Sequence, residues 1–506
     1  MKVLARIMIK KTEFILVPLL GACVAWWGFA PHAFGFLISL GLVLLVWRLK
    51  NLQRAREGAW LAGLAGWGYF LSGISWLHYS LHDVARMPWV LTGAAIALLS
   101  AYMALYPALA GLLFVRLRHH SLVGRAAVFA AAWTLSELLR AWVFTGFPWL
   151  NIAYSQIEVL RGYFPLVGAY GVGFLLAFAA AILALSIQPL KVGLRLALVM
   201  LSCCIYIGGM FLPLHWTSPV GEPTSVALVQ TNIMQTLKWD PRWLQRWLNE
   251  NLEWTTQTAD AALTVFPEVA LPLWVEDLPQ GYLEALEAPA KAQGHDVLIG
   301  ALVQNTELVA THKRAIHNAA ISLGAHPGQQ YAKNHLVPFG EFSPPFFAWF
   351  YRFANIPMSN QTPGGNKQAP LVLGGQKVAV NICYEDAFGA ELIHAVPEST
   401  VMLNLSNLAW FGNSAAQPQH LQIAQARALE AGRPMLRATN TGMTAYINPQ
   451  GEVLAQLPSF TPGVLRVNVQ GYQGITPYVR YGDHLIMGIS VLLLGILSRK
   501  NKPTHQ

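Results

Sequence analysis

The sequence predicts a polytopic α-helical membrane domain joined to an α/β domain outside the membrane. Of the 506 residues, 54% are hydrophobic and only 12% are charged, and the mean hydropathy is +0.40. Soluble globular proteins carry about one-quarter charged residues, so membrane spans must account for the apolar excess. The length also exceeds the usual size of one domain, and several short strand-like runs are concentrated between residues 215 and 483.

Apolar runs predict about eight transmembrane helices, because most approach the roughly 20 residues that cross a bilayer. The second and the last run are short. The runs lie near residues 14–30, 33–47, 58–77, 89–115, 121–143, 163–187, 193–213 and 484–498. The first run follows a basic segment, as a signal peptide would, but the further spans favour a retained anchor. We therefore expect a seven-span membrane domain (1–214), an outer domain (215–483) and a final span with a tail (484–506).

The distribution of Lys and Arg predicts the orientation. They cluster before the first span, after the last one and in every second connection between spans. The positive-inside rule then places both termini in the cytoplasm and residues 215–483 on the opposite side. The net charge of +9 lies mainly in those short connections, and acidic residues outnumber basic ones within 215–483. Nucleic acid is therefore not expected as a partner.

One cysteine is a candidate for chemistry. Cys23, Cys203 and Cys204 fall inside predicted spans, whereas Cys383 is the single cysteine of the outer domain. A domain of this size with one cysteine has no internal disulfide framework. Cys383 is therefore either a buried hydrophobic residue or a working thiol.

The outer domain is predicted to be an α/β sheet with covering helices. Its strands are expected at 225–233, 263–270, 296–303, 318–323, 377–383, 401–406, 434–447 and 464–469, with helices at 241–262, 282–293 and 417–431. An aromatic-rich segment, FSPPFFAWFYRFANIPM at 342–358, fits this domain less well. It is either a core-packing loop or a segment that enters the lipid headgroup region.

Cys383 ends the alternating strand KVAVNIC and precedes a stretch that could start a helix. A nucleophile on such a strand-to-turn elbow is exposed, and the amides after it can stabilise an oxyanion. A thiol needs a base and a cation, because little thiolate exists at its free pKa. Glu268 in FPEVALP, and Lys333 with Glu341 in YAKNHLVPFGE, offer both. No metal-ligand spacing is present, so no cofactor is expected.

At these residues the outer domain resembles the nitrilase superfamily, and the whole chain resembles its apolipoprotein N-acyltransferase family. The strings that carry the resemblance are VALVQTNIMQTLKWD, FPEVALP, KNHLVPFGE, ICYED, NLSNLAWFG and ALEAGRPMLRATNTG. The resemblance implies a nitrilase-like αββα sandwich. One departure is Leu408, which stands where the family commonly has an Asp; we expect activity to survive because Asn404, Ser406, Asn407 and Trp410 remain.

The resemblance also implies roles for individual residues. Cys383 is the expected nucleophile, Glu268 the general base and Lys333 the oxyanion stabiliser. Glu341 and Glu385 are expected to support them, unless they form structural salt bridges. Trp239 and Tyr384 are expected to line a lipid-binding pocket, although aromatic residues at strand ends also serve packing.

The implied reaction moves a fatty acyl chain from a membrane phospholipid, through a thioester, to the α-amine of the N-terminal diacylglyceryl-cysteine of a lipoprotein. The implied location is the cell inner membrane, with the catalytic domain in the periplasm and the chain as a monomer. A membrane-tethered amidase that uses water is the alternative. A transporter or receptor is a third possibility, although the spans lack the broken-helix pattern of many transporters.

A pair of charges in the fifth predicted span is a separate feature. Glu137 and Arg140 lie one helical turn apart and could form an ion pair at the outer edge of the bilayer. Buried charges in a span usually indicate function, for example a headgroup contact. The other interpretation is a structural pair outside the hydrocarbon core.

Overall fold

The computed structural model describes residues 2–119, 121–213, 215–304, 316–342 and 361–499, with side chains from residue 12 to residue 498. The chain divides into two compact units. One contains Met1–His78, Met87–Pro213 and Tyr481–Gln506, and the other contains Tyr79–Arg86 and Leu214–Arg480. The predicted aromatic-rich segment at 342–358 lies, apart from Phe342, outside the described residues, so its contact with lipid stays a prediction.

The first unit is helical, and its helices coincide with the eight apolar runs. They are α1 (Lys2–Gly28), α2 (Phe36–Leu49), α3 (Ala55–Gly73), α4 (Trp89–Arg116), α5 (Leu122–Arg140), α6 (Phe164–Ser186), α7 (Val192–Phe211) and α14 (His484–Arg499). Within the described residues, four helices are long and apolar enough to cross a membrane: α4, α5, α7 and α6 with the turn before it. Thr12–Gly28, α2 and His484–Ser498 are shorter apolar helices. These helices indicate a membrane protein, and the number of eight spans stays a prediction.

The ion pair in α5 has a structural environment. Arg140 is 2% exposed, and its guanidinium donates to the backbone oxygens of Phe147 and Trp149 at 2.5 and 2.7 Å. It also donates to Glu137 at 3.3 Å and lies over the ring of Phe70. A guanidinium bound to protein atoms in this way fixes the chain that follows α5. These contacts favour the structural interpretation over a headgroup contact.

The second unit contains two six-stranded sheets, whose order is β12-β1-β2-β3-β4-β5 in one and β11-β10-β9-β8-β7-β6 in the other. The strands are β1 (Ser218–Gln230), β2 (Leu263–Val265), β3 (Asp296–Gln304), β4 (Ile316–Gly324), β5 (Gln330–Ala332), β6 (Leu371–Leu373), β7 (Gln376–Ile382), β8 (Val401–Ser406), β9 (Met435–Thr439), β10 (Ala445–Ile447), β11 (Val453–Gln456) and β12 (Gly463–Gln473). The helices are α8 (Gln235–Lys238), α9 (Pro241–Gln257), α10 (Tyr282–Lys291), α11 (Gly389–Leu392), α12 (Ala416–Ala431) and α13 (Pro477–Tyr481). In the second sheet, β7, β8 and β9 are parallel.

The sheets pack face to face, and helices cover their outer faces. Apolar side chains from both sheets, such as Leu228 and Leu403, form a buried cluster between them. A second cluster lies between the first sheet and helices α9 and α10, and a third lies between the second sheet and α12. This is the αββα sandwich that the resemblance implied, and the predicted fold class is confirmed.

Several predicted element boundaries were wrong. The strand expected at 434–447 is two antiparallel strands, β9 and β10, in which Leu436 pairs with Tyr446. Gly442, with φ of 117°, allows the chain to reverse between them. The strand expected at 263–270 ends at Val265, since Pro267 and the positive φ of Val269 take the chain out of the sheet. Strands β5, β6 and β11 were missed because each has only three or four residues.

The structure predicts where the second unit is sensitive to truncation. Leu403 is fully buried between the sheets, so Leu403→Ala should lower the free energy of unfolding by about 2–5 kcal/mol. Leu454 is 56% exposed, so Leu454→Ala should change it by less than about 0.5 kcal/mol. Thermal unfolding of the full chain in detergent measures both. Equal midpoints for the two variants would contradict this placement of the core.

Candidate active site

The candidate site is built from residues that follow strands. Glu268 comes after β2, Lys333 directly after β5 and Cys383 directly after β7. Asn407 comes directly after β8, which is parallel to β7. Residues at the ends of strands are free from the alternation of a sheet, and polar side chains can therefore converge there.

Cys383 occupies a sharp turn. Its φ is 56°, in the left-handed region that a residue with a Cβ rarely adopts, and a 3-10 helix (Cys383–Ala387) begins at this position. Strain of this kind persists only where surrounding contacts impose it. One such contact is the hydrogen bond that Asn404 Nδ2 donates to the Cys383 carbonyl at 3.0 Å. The side chain is half-buried, as an elbow nucleophile requires.

Lys333 lies between two carboxylates. Its Nζ is 2.7 Å from Glu341 Oε1 and 3.4 Å from Glu268 Oε1, and its side chain is fully buried. Burial alone would lower the pKa of the ammonium, but the charges of Glu341 and Glu268 hold that pKa above its ordinary value. Lys333 is therefore a fixed cation, available to stabilise negative charge.

Glu268 is held by a second set of donors. Asn318 Nδ2 donates to Oε1 at 2.8 Å, and the backbone N–H of Asn407 donates to Oε2 at 2.8 Å. Both oxygens are thus oriented, while a carboxylate retains lone pairs for a further proton. This geometry suits a general base.

The Cys383 thiol is protonated in the resting site. Burial raises its pKa well above the ordinary value, and the negative charge of Glu268 adds to this shift against the opposing effect of Lys333. A neutral thiol must lose its proton during attack, so a neighbouring base is needed. The charges of Glu268 and Lys333 thus act on the Cys383 thiol, and Lys333 Nζ itself lies 3.4 Å from Glu268 Oε1.

Glu385 connects the Lys333 and Cys383 segments. Its Oε1 accepts from the backbone N–H groups of Asn334 and His335 at 2.6 and 3.0 Å. Its Oε2 accepts from Ile382 N–H at 2.6 Å and from Tyr331 O–H at 3.0 Å. Burial raises the pKa of this carboxyl to about 6. Among the described residues, the hydrogen bonds of Glu385 are with backbone N–H groups and Tyr331, and Glu385 forms no salt bridge.

The two predicted lipid-contacting aromatics differ in environment. Tyr384 is buried and packs edge-on against Phe388, with ring centroids 5.0 Å apart. Trp239 is half-buried and follows α8, next to Lys238, whose Nζ donates to the backbone oxygen of Glu268 at 3.3 Å. Burial lowers the pKa of Lys238 to about 8. The roles of both aromatics in lipid binding stay predictions.

Sequence reasoning missed Asn318, Lys238 and Tyr331. Asn318 is a polar residue in the mainly apolar strand β4, and Lys238 lies within the string QTLKWD. A polar residue within a buried segment must find a partner, so both residues could have been identified from the sequence as candidates for the site. Nothing in the sequence indicates that the hydroxyl of Tyr331 binds Glu385.

Comparison with known proteins identifies the class. Residues 225–475 match the family model for carbon-nitrogen hydrolases, which agrees with the αββα domain. Residues 21–182 match the model for the N-terminal domain of apolipoprotein N-acyltransferase.

Relatives with similarity over the whole chain narrow this class to one family. A protein of Chromobacterium violaceum is 43% identical over 95% of this chain and 93% of its own length. Proteins of Nitrosomonas europaea and Ralstonia nicotianae are each 42% identical, over 92% and 94% of this chain and 93% and 91% of their own lengths. All three are named apolipoprotein N-acyltransferase. The chain belongs to the apolipoprotein N-acyltransferase family.

Replacing Glu385 tests its connecting role. In Glu385→Gln one oxygen becomes an amide nitrogen, which faces N–H and O–H donors and leaves them unsatisfied. We expect the free energy of unfolding to fall by about 3 kcal/mol. Acyl transfer should fall by roughly a hundredfold, because Lys333 and Cys383 lose their relative placement. The initial rate of acyl transfer and thermal unfolding measure these effects.

Glu391→Gln is the matched control. Glu391 accepts from His335 and Asn334 side chains, and its side chain is 35% exposed. The rate of acyl transfer by Glu391→Gln should stay within roughly threefold of the wild-type rate, since water can replace these hydrogen bonds. A loss of activity in this variant equal to that of Glu385→Gln would contradict the connecting role.

Proposed function

We propose that the chain transfers a fatty acyl group from a membrane phospholipid, through a thioester on Cys383, to the free α-amine of the N-terminal diacylglyceryl-cysteine of a lipoprotein. The observation that carries the proposal is a buried Lys333 ammonium between Glu268 and Glu341, in a site where Cys383 occupies a strained turn. The name of the relatives, apolipoprotein N-acyltransferase, supports the choice of substrates.

In the first half-reaction, Cys383 Sγ attacks the ester carbonyl of the phospholipid while Glu268 takes the thiol proton. Lys333 and the backbone amide after Cys383 stabilise the tetrahedral oxyanion. Collapse breaks the ester C–O bond, and the leaving alkoxide receives the proton from Glu268. The products are a lysophospholipid and a thioester on Cys383.

In the second half-reaction, the neutral α-amine attacks the thioester carbonyl. Glu268 takes a proton from the attacking nitrogen as the C–N bond forms, and the same two groups stabilise the oxyanion. The C–S bond then breaks, and the departing thiolate takes the proton. The result is an amide on the acceptor and a regenerated Cys383 thiol.

Two alternative functions are less well supported. A membrane-tethered amidase would deliver the acyl group to water. The two lipid substrates favour the transferase, since a chain rich in apolar helices gives them lateral access from the bilayer. A transporter or receptor would not require a buried cation and a base around a thiol. We further propose that the chain acts as a monomer in the cell inner membrane. The Lys and Arg bias supports an orientation with residues 215–483 in the periplasm and both termini in the cytoplasm.

Intact-mass spectrometry tests the thioester. Wild-type protein incubated with a defined phospholipid should gain one fatty-acyl mass that hydroxylamine removes. A diacylated lipopeptide with a free α-amine should then receive the same mass. Cys383→Ala should gain none while remaining folded, and Cys203→Ala, which removes a cysteine of α7, should behave as wild type. Acyl loss to water in the presence of the lipopeptide would favour the amidase, and turnover in Cys383→Ala would overturn the mechanism.

The pKa of Glu385, raised by burial to about 6, predicts where the rate of the reaction falls on the acid side of its pH profile. Below that pH the protonated carboxyl turns an acceptor into a donor, so acylation of Cys383 should fall with a midpoint near 6. The folded state binds this proton more tightly than the unfolded state, so this group adds stability as pH falls through that range. Single-turnover acylation and circular dichroism between about pH 5 and 8 measure both. A rate that is unchanged down to pH 5 would contradict this assignment.

A further inference from the structure

Three ionisable side chains form a buried cluster behind the turn of Cys383. Asp386 lies in the 3-10 helix that begins at Cys383, His420 lies on α12 and Arg437 lies on β9. Their exposed fractions are 0%, 1% and 0%. We refer to these three residues as the Asp386 cluster. The reaction described above does not use it.

The hydrogen bonds of the cluster fix the tautomer of His420. Arg437 Nη1 donates to Asp386 Oδ2 at 2.8 Å, and Arg437 Nη2 lies 3.1 Å from His420 Nδ1. A guanidinium is only a donor, so Nδ1 must accept. His420 Nε2 therefore carries the hydrogen and donates it to Asp386 Oδ1 at 2.6 Å. Burial lowers the pKa of His420, which agrees with a neutral ring.

This arrangement excludes His420 as a base for Cys383. Its Nδ1 lone pair already accepts from Arg437, and its Nε2 hydrogen is committed to Asp386. The single charges of Asp386 and Arg437 also cancel, so the cluster adds no net charge to the site. What remains is a geometric effect on the turn that carries Asp386.

The turn is held at both ends. Asn404 binds the carbonyl of Cys383 at the start of the 3-10 helix. Three residues later, His420 and Arg437 bind the side chain of Asp386. The left-handed φ of Cys383 is unfavourable for a residue with a Cβ, so the turn relaxes unless both ends are fixed. The cluster ties the second end to a helix and a strand of the domain.

We propose that Asp386, His420 and Arg437 are positioning residues that hold Cys383 Sγ in line for attack on the acyl carbonyl. This inference rests on Cys383 as the nucleophile of the proposed function. It predicts that breaking the cluster slows acylation of Cys383 and leaves binding of the acyl donor unchanged.

Asp386→Asn breaks the cluster with little change in shape. Both oxygens of Asp386 accept from donors, so an amide group places N–H against a donor in either orientation. The control is Glu430→Gln, which breaks a buried ion pair with Arg427 at 2.9 Å on the same helix as His420. Both variants lose one buried ion pair, but only Asp386 lies in the 3-10 helix that begins at Cys383.

The experiment uses the full chain in detergent with Cys23, Cys203 and Cys204 replaced by Ala, so that Cys383 alone reacts. The acyl donor is p-nitrophenyl octanoate, and intact mass follows acylation at several donor concentrations. Asp386→Asn should lower the maximal rate by roughly tenfold or more at an unchanged half-saturating concentration, since misplacement of a reacting atom acts on the rate. Glu430→Gln should stay within roughly threefold of the wild type.

Iodoacetamide is a small reagent with weak demands on alignment. Its rate of alkylation of Cys383 should stay within roughly threefold of the wild-type rate in both variants, which would show that the thiol is intact. An Asp386→Asn protein that acylates as fast as the wild type would overturn the proposal. So would an equal loss in Glu430→Gln, or a rise in the half-saturating concentration at constant maximal rate.

A second pair of variants decides the matter if Asp386→Asn fails to fold. His420→Gln keeps an N–H donor for Asp386 and should retain acylation, whereas His420→Leu has no donor and should lose it. Equal rates in this pair would overturn the proposal. A wild-type protein that accepts the acyl group from p-nitrophenyl octanoate and never from a phospholipid would refute the proposed donor, while the comparison of variants would still test the cluster.

Discussion

The site depends on the burial of one ammonium group. A fully buried lysine stays charged most readily when opposite charges lie next to it, and Lys333 is placed between Glu268 and Glu341. These three residues follow different strands or turns, so the cation can be neutralised only when the first sheet is formed. The charge that would stabilise an oxyanion therefore also requires the correct fold around it. Removing both carboxylates would leave an uncompensated buried charge.

The second constraint is the placement of Cys383 against Lys333. The two residues belong to different sheets, β7 in one and β5 in the other. Glu385 joins them, because its carboxylate accepts backbone N–H groups from the segment after Lys333 and from the residue before Cys383. A charge-assisted hydrogen bond is stronger than a neutral one, so a carboxylate suits this role better than an amide. The segments of Lys333 and Cys383 are thereby held by one side chain.

The sequence predicted the class of fold, because the fold rests on local signals, and it directed attention to Glu268, Lys333 and Cys383, whose roles stay a proposal. Apolar runs give helices, and FPEVALP, YAKNHLVPFGE and KVAVNIC mark strand ends with chemical groups. Strands β5, β6 and β11, of three or four residues each, could not be predicted, since alternation needs a longer run. The partners of Glu385 and Asp386 could not be predicted either. Asn334 and Tyr331, for example, lie 51 and 54 positions before Glu385 in the sequence, and only packing brings them to its carboxylate.

The neutral state of the Cys383 thiol has a consequence beyond catalysis. Oxidation of cysteine proceeds through the thiolate, so a thiol with a raised pKa is protected. Here Glu268 is held by Asn318 and Asn407 close to the thiol, so the thiolate need form only when an acyl carbonyl is present to receive it. A high resting pKa is thus compatible with nucleophilic catalysis, because the base is already in place.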